Sequence, residues 1–113
     1  MISAGVDIIE IKRFRKAKNI QRLADFFLSK KEIKLALNSR DFCQYLASRF
    51  SVKEAVIKAV PELNIGYLDF EVLKKDRIKP YINVITKKFK KYSISVSLSH
   101  TDSHAVGFAI VNY

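Results

Sequence analysis

Tryptophan is absent from this chain, and cysteine and methionine occur once each. The single cysteine, Cys43, allows neither an intramolecular disulfide nor a cysteine-built zinc site, so a reducing compartment is expected. No apolar stretch approaches the ~20 residues needed to span a bilayer. The opening MISAGVDIIEIKRF lacks the basic-then-apolar order of a signal peptide and reads as a strand entering the fold. A soluble cytoplasmic protein without a membrane partner is expected. No internal repeat, low-complexity stretch or linker breaks the chain. Acidic residues are also scarce, with 11 Asp and Glu against 21 Lys and Arg, a formal charge of +10.

What is present fits one globular domain over residues 1–113, with 49% hydrophobic and 28% charged residues. The basic excess is concentrated in Lys12-Arg13-Phe14-Arg15-Lys16, Lys30-Lys31, the Lys74 to Lys79 segment and Lys87-Lys88-Phe89-Lys90-Lys91. Such a surface draws polyanions: nucleic acid, anionic lipid, a phosphorylated cofactor or an acidic protein. Charge alone does not choose among them.

Periodicity gives an order of elements. Met1 to Ile9 is a strand candidate, after which Asp7 begins a polar turn. Leu23, Phe26 and Phe27 indicate a short helix, and Ile33, Ala36 and Leu37 a second one after Ser29. Asp41 is placed to cap a long amphipathic helix with Phe42, Leu46, Phe50, Ile57 and Val60 on its apolar side, and Pro61 closes it. Beyond Gly66 the period changes to two: strands are expected over Leu68 to Val72, Tyr81 to Ile85, Ile94 to Leu98 and Ala105 to Val111, with a turn at Lys79-Pro80 and an exposed segment at Lys87 to Lys91. This is an α+β domain, an N-terminal strand and helices followed by an antiparallel sheet.

Three segments could carry chemistry. In Arg49 to Ala59, Glu54 and Lys58 fall one turn apart, and Arg49 and Lys53 occupy a neighbouring stripe. That set could hold a hard metal ion beside phosphates, or be a solvated face with an ordinary Glu–Lys pair. Asp7, among Val6, Ile8 and Ile9, is either a metal ligand at a strand end or a helix cap paired with Glu10. Magnesium takes one or two carboxylates plus waters and substrate phosphates, a requirement that Asp7 and Glu54 could meet. Arg49, Lys53 and Lys58 would then contact phosphate oxygens. The third segment, Ser97 to His104, is either a polar hairpin or a donor-rich loop gripping phosphate. Closeness of Ser, His and Asp in sequence does not make a catalytic triad.

Together and in this order, GVDIIEIKRF, RFSVKEAVIKA and SLSHTDSHAVGFAIV resemble the motifs G-x-D-I-x-E-I-x-R, R-F-x-x-K-E-A-x-x-K-A and S-x-S-H-T of the holo-acyl-carrier-protein synthases, the small 4′-phosphopantetheinyl transferases. The resemblance runs from end to end. It departs at Ala59 to Gly66, where the family's A-x-G-T-G-x-G turn keeps only its last glycine, and at Asp76 to Pro80, which keeps Lys-Pro from N-G-K-P.

The resemblance implies a 4′-phosphopantetheinyl transferase-like fold and an enzyme moving 4′-phosphopantetheine from coenzyme A to a serine of apo acyl carrier protein, in fatty acid biosynthesis. It implies Asp7 and Glu54 as Mg2+ ligands, Lys58 at the pyrophosphate, and Arg49, Lys53 and His100 at the nucleotide and its 3′-phosphate, with Ser99 and Thr101 as weaker candidates. Glu54 is the candidate acceptor for the serine proton. The acidic carrier protein would dock on Arg13, Phe14, Arg15 and Arg22, and the family's habit implies a homotrimer with sites between subunits. A small basic nucleic-acid-binding domain, with Tyr45, Tyr81 and Tyr92 stacking on bases, and a non-catalytic coenzyme A-binding relative are the competing readings.

Overall fold

The computed structural model describes residues 1–75 and 79–113. Strand β1 (Ile2–Glu10) leads into a short helix α1 (Lys12–Arg15), then α2 (Ile20–Phe27), α3 (Lys30–Leu37) and α4 (Phe42–Ala59). Strands β2 (Phe70–Lys75), β3 (Lys79–Val84), β4 (Ser93–His100) and β5 (His104–Asn112) follow. The α+β order expected from the sequence holds.

The helix ends lie where short side chains satisfy the free amides of a first turn. Asn19 accepts from Arg22 N, and Asp41 from Gln44 N. Ser29 and Glu32 form a reciprocal capping box. Helix α4 ends before Pro61, which opens a single tight turn, Pro61–Leu63.

The main sheet has the order β1-β5-β4, antiparallel throughout, with Glu10 opposite His104 and His100 opposite Ala105 at one end. Strands β2 and β3 form a separate hairpin whose β3 runs beside β4. Alternation turns Ser3, Gly5, Asp7 and Ile9 of β1 inward, with Ala105, Gly107, Ala109 and Val111 of β5. Helix α4 lies across this inner face. Gly5 and Gly107 permit the approach: a Cβ built on Gly5 would stand 2.0 Å from Ala55 O, and one on Gly107 2.4 Å from the Ser51 carbonyl. Two apolar clusters fill the remainder, one around Val52, Val56, Phe70 and Val111, the other around Phe14, Phe27, Leu46 and Ala47.

Several expectations are corrected. Asp7 neither starts a turn nor caps a helix, because β1 continues in register with β5 as far as Glu10. Lys79-Pro80 is the start of β3, not a turn; Asp76, Arg77 and Ile78 lie outside the described residues. Helix α4 is not an amphipathic surface helix. Ser48, Arg49, Ser51 and Lys53 are buried along with its apolar residues, since the sheet covers one side and α1, α3 and β2 the others.

Candidate functional site

The residues singled out from the sequence divide between two flanks of α4. On the β1 flank, Asp7 Oδ1 accepts from Lys58 Nζ at 3.0 Å, with the lysine head about half exposed and the carboxylate mostly covered. One turn before Lys58, Glu54 accepts the hydroxyl of Tyr67, a residue in the stretch leading to β2. Burial, then the hydrogen bond to Glu54, then the negative charge of Glu54 and Asp7 push the Tyr67 phenol up to about 12. Glu54 accepts directly from that hydroxyl, which keeps its proton, and Asp7 bears on it through charge alone. Lys58 reaches across to Asp7 instead of back to Glu54, so the solvated Glu–Lys pair open to the sequence does not describe this face.

The other flank carries a cavity of about 200 Å³ walled by Arg40, Gln44, Arg49, Lys74 and His100 among others. Arg49 is 3% exposed. Its guanidinium stacks on the Tyr45 ring at 3.9 Å, and Nη1 donates to Ser48 Oγ at 3.1 Å. Its Nε and Nη2 have no hydrogen-bond partner among the described residues. Burial pushes the arginine pKa down, but a guanidinium stays charged, and its planar fork is the group that matches a phosphate or carboxylate. Gln44 Nε2 stands 3.1 Å from His100 Nδ1; with the amide donating, the imidazole proton sits on Nε2. The carboxylate in this wall, Asp41, is engaged by Arg15 at 2.6 Å and by the Gln44 amide, which hold its pKa below the ordinary value.

Ser99 and Thr101 do not join Arg49. Ser99 lies on the outer face of the sheet, in a shallow cavity with Ile8, His100, His104 and Val106. Thr101 Oγ1 accepts from the amides of Ser103 and His104, closing the turn between β4 and β5. That turn is the polar hairpin of the sequence reading. The helix geometry explains the division: Glu54 and Arg49 are five residues apart, roughly 140° around the axis, so they face different flanks.

Lys53 is a correction. It is fully buried, and its Nζ donates to Glu32 Oε1 at 2.8 Å and to the carbonyls of Phe27, Tyr67 and Phe70 at 2.6–3.1 Å. Glu32, also fully buried, accepts Ser29 N and Val72 N as well. Three ammonium protons are shared among four internal acceptors, so Lys53 is a structural hub and has no phosphate contact to offer. Phe14 is a second correction: it is buried, packed edge-on against Phe27 and Phe50, and is no exposed anchor, although its ring lines the hollow beside Arg13. Arg13, Arg15 and Arg22 are exposed, and Arg13 borders a small apolar hollow with Ile9, Leu23 and Phe50.

Tyr67, Gln44 and Lys74 were not singled out from the sequence. Tyr67 and Lys74 reach their flanks through chain segments remote from α4, and their spacing carries no signal. Gln44 is one turn after a recognised cap and is the nearest to legible. Among the described residues, no three His, Cys, Asp or Glu side chains converge as a metal cluster; the β1 flank offers two carboxylates.

The family model of the 4′-phosphopantetheinyl transferase superfamily matches residues 3–109. The chain is 35% identical to a holo-[acyl-carrier-protein] synthase of Clostridium acetobutylicum, over 95% of this chain and 94% of the relative. A Clostridium botulinum relative of the same name is 33% identical, again over 95% and 94%. Among solved structures, the Helicobacter pylori holo-[acyl-carrier-protein] synthase in complex with coenzyme A superposes with a TM-score of 0.84 at 28% identity, covering 99% of this chain and all of the other. The Bacillus anthracis synthase, in complex with CoA (3′,5′-ADP), gives 0.82 at 29% identity over 96% and 94%.

Proposed function

Because the chain belongs to the 4′-phosphopantetheinyl transferase superfamily, we propose that it is a holo-acyl-carrier-protein synthase, taking 4′-phosphopantetheine from coenzyme A to a serine of an apo acyl carrier protein. The observation that carries the reading is the pair of flanks: a carboxylate pair with a half-exposed lysine bonded to Asp7 on one, and a buried arginine with two donors unpartnered among the described residues on the other. Coenzyme A needs both, since it presents a pyrophosphate and a separate 3′-phosphate.

The transferred phosphorus forms a bond to the serine oxygen and loses its bond to the bridging oxygen, which departs with adenosine 3′,5′-bisphosphate. Such a transfer asks for in-line placement and charge neutralisation more than covalent help. Arg49, with His100, Arg40 and Lys74 around it, would seat the 3′-phosphate in the cavity. Lys58, whose head is half in solvent, could turn from Asp7 to the pyrophosphate when a cation takes over the compensation of the mostly covered carboxylate. Glu54 is the candidate acceptor of the serine proton. Asp7 and Glu54 supply the one or two hard carboxylates that Mg2+ takes from a protein, and would be its ligands here. The ion would supply Lewis-acid stabilisation of the pyrophosphate.

The outer face of the main sheet supports a homotrimer. Ile2, Val6, Ile8, Phe108 and Ile110 stand there 39–71% exposed, an apolar surface that a second copy would cover. The cavity containing Ser99 and His100 opens on that face, so a neighbouring copy would complete the site there. Arg13 and Arg22, with the hollow beside Arg13, form the docking surface for the acidic carrier protein. Fatty acid biosynthesis in the cytoplasm is the setting. Among the described residues, no helix is long and apolar enough to cross a membrane.

The test is intact-mass analysis of apo acyl carrier protein incubated with this protein and coenzyme A. A gain of one phosphopantetheine (about 340 Da by composition) is expected, lost with EDTA and in Glu54→Gln. Coenzyme A binding without any mass gain across several carrier proteins would make the chain a non-catalytic relative.

A further inference from the structure

Tyr67 is held unusually firmly for a residue outside helix and strand. Lys53 Nζ donates to its carbonyl at 2.6 Å and to that of Phe70 at 3.1 Å, tying the stretch to α4 at the ring and three residues beyond it. The ring packs against Phe26, Phe27 and Phe50 with centroids 5.8, 6.4 and 5.8 Å away. Gly66 N donates to Asp69 Oδ2 at 2.7 Å, closing a turn around it. From this fixed position the hydroxyl donates to Glu54 Oε1, leaving Oε2 as the oxygen free to face a ligand.

We propose that Tyr67 is a positioning residue that restricts Glu54 to offering one oxygen to a divalent ion, and so makes the site select magnesium over calcium. The inference rests on the reading of Asp7 and Glu54 as metal carboxylates. Magnesium requires a compact octahedron with ligands at ~2.0–2.1 Å and keeps several waters, whereas calcium accepts six to eight oxygens and favours carboxylates that give it both. A carboxylate pinned through one oxygen by a phenol suits the first ion and handicaps the second. Lys53, one residue before Glu54 and bonded to the backbone of Tyr67, links the donor and the acceptor of this bond to the same turn of α4. A partner of a ligating group of this kind commonly sets metal affinity by about 10–100-fold.

Tyr67→Phe tests the inference, since it deletes the hydroxyl and keeps the ring in its aromatic cluster. Mg2+ and Ca2+ are titrated calorimetrically into the protein with coenzyme A present, alongside thermal unfolding of both forms. The expected result is a roughly tenfold weaker Mg2+ affinity, Ca2+ affinity unchanged or improved, and an unfolding midpoint close to that of the wild type. Equal weakening for both ions would reduce Tyr67 to a structural support and overturn the selectivity. Unchanged affinities in Tyr67→Phe, with the wild type binding Mg2+, would overturn the inference and leave the metal site standing. A wild type that binds neither ion would remove the metal reading itself.

Discussion

Lys53 shows how far a side chain's neighbourhood decides its role. A lysine head with one buried carboxylate and three carbonyls around it is kept charged by its partners while burial lowers its pKa. Removing one member of a buried ion pair costs about 3–5 kcal/mol, because the other is left without compensation. Lys53→Met keeps the bulk and strands Glu32, so it is expected to lower stability by about that amount in urea denaturation. An unchanged denaturation midpoint with a raised KM for coenzyme A would return Lys53 to the phosphate. Arg49 is the converse case. It is as deeply buried, yet two of its nitrogens have no partner among the described residues, an arrangement the proposed 3′-phosphate would complete. From the sequence the two cations looked equivalent, one turn apart on a single helix. What separates them is Glu32, 21 residues from Lys53, and local spacing carries no trace of so distant a partner.

At the scale of elements, α4 positions both flanks, and its depth in the fold is set by two glycines. A methyl at Gly107 would stand 2.4 Å from Ser51 O and Val52 N, backbone atoms that yield only if the helix moves. Gly107→Ala is therefore expected to destabilise by about 1–3 kcal/mol or more, the usual cost of overpacking. The lifted helix should also carry Glu54 away from Asp7, so transfer activity should fall in protein that is still folded at low temperature. A fully active, fully stable Gly107→Ala would show that the close approach of helix and sheet is not required. Three helix boundaries were legible because caps and prolines act within four residues: Ser29, Asp41 and Pro61 each mark an end, while the Asn19 cap of α2 was not singled out. The burial of α4 was not legible. Its polar residues are covered by the main sheet, α1, α3 and β2, and only the three-dimensional arrangement brings these around it. The β2–β3 boundaries shifted for a related reason, because alternation begins at Leu68 but pairing begins only at Phe70, opposite Val84.

At the scale of the whole molecule, the two flanks pose a geometrical problem that a single copy does not solve. Asp7, Glu54 and Lys58 face the β1 side, while Arg49 and the cavity with His100 face the other, and the body of α4 lies between. One coenzyme A engaging both sets is natural if the β1 flank of one copy meets the His100 flank of the next across the apolar outer face of the sheet. Mixing two inactive variants separates the arrangements. Glu54→Gln damages one flank and Arg49→Ala the other. If each site is shared between copies, random reassembly of equal amounts makes about one site in four intact in both halves, and activity should recover to about a quarter of the wild type. If each chain holds a whole site, every site keeps one lesion and the mixture stays as inactive as its components. Adding Phe108→Glu to both chains, which places a charge at the centre of the apolar face, should abolish the recovery by preventing assembly. Recovery that survived this change would place the shared contact somewhere other than the outer sheet face.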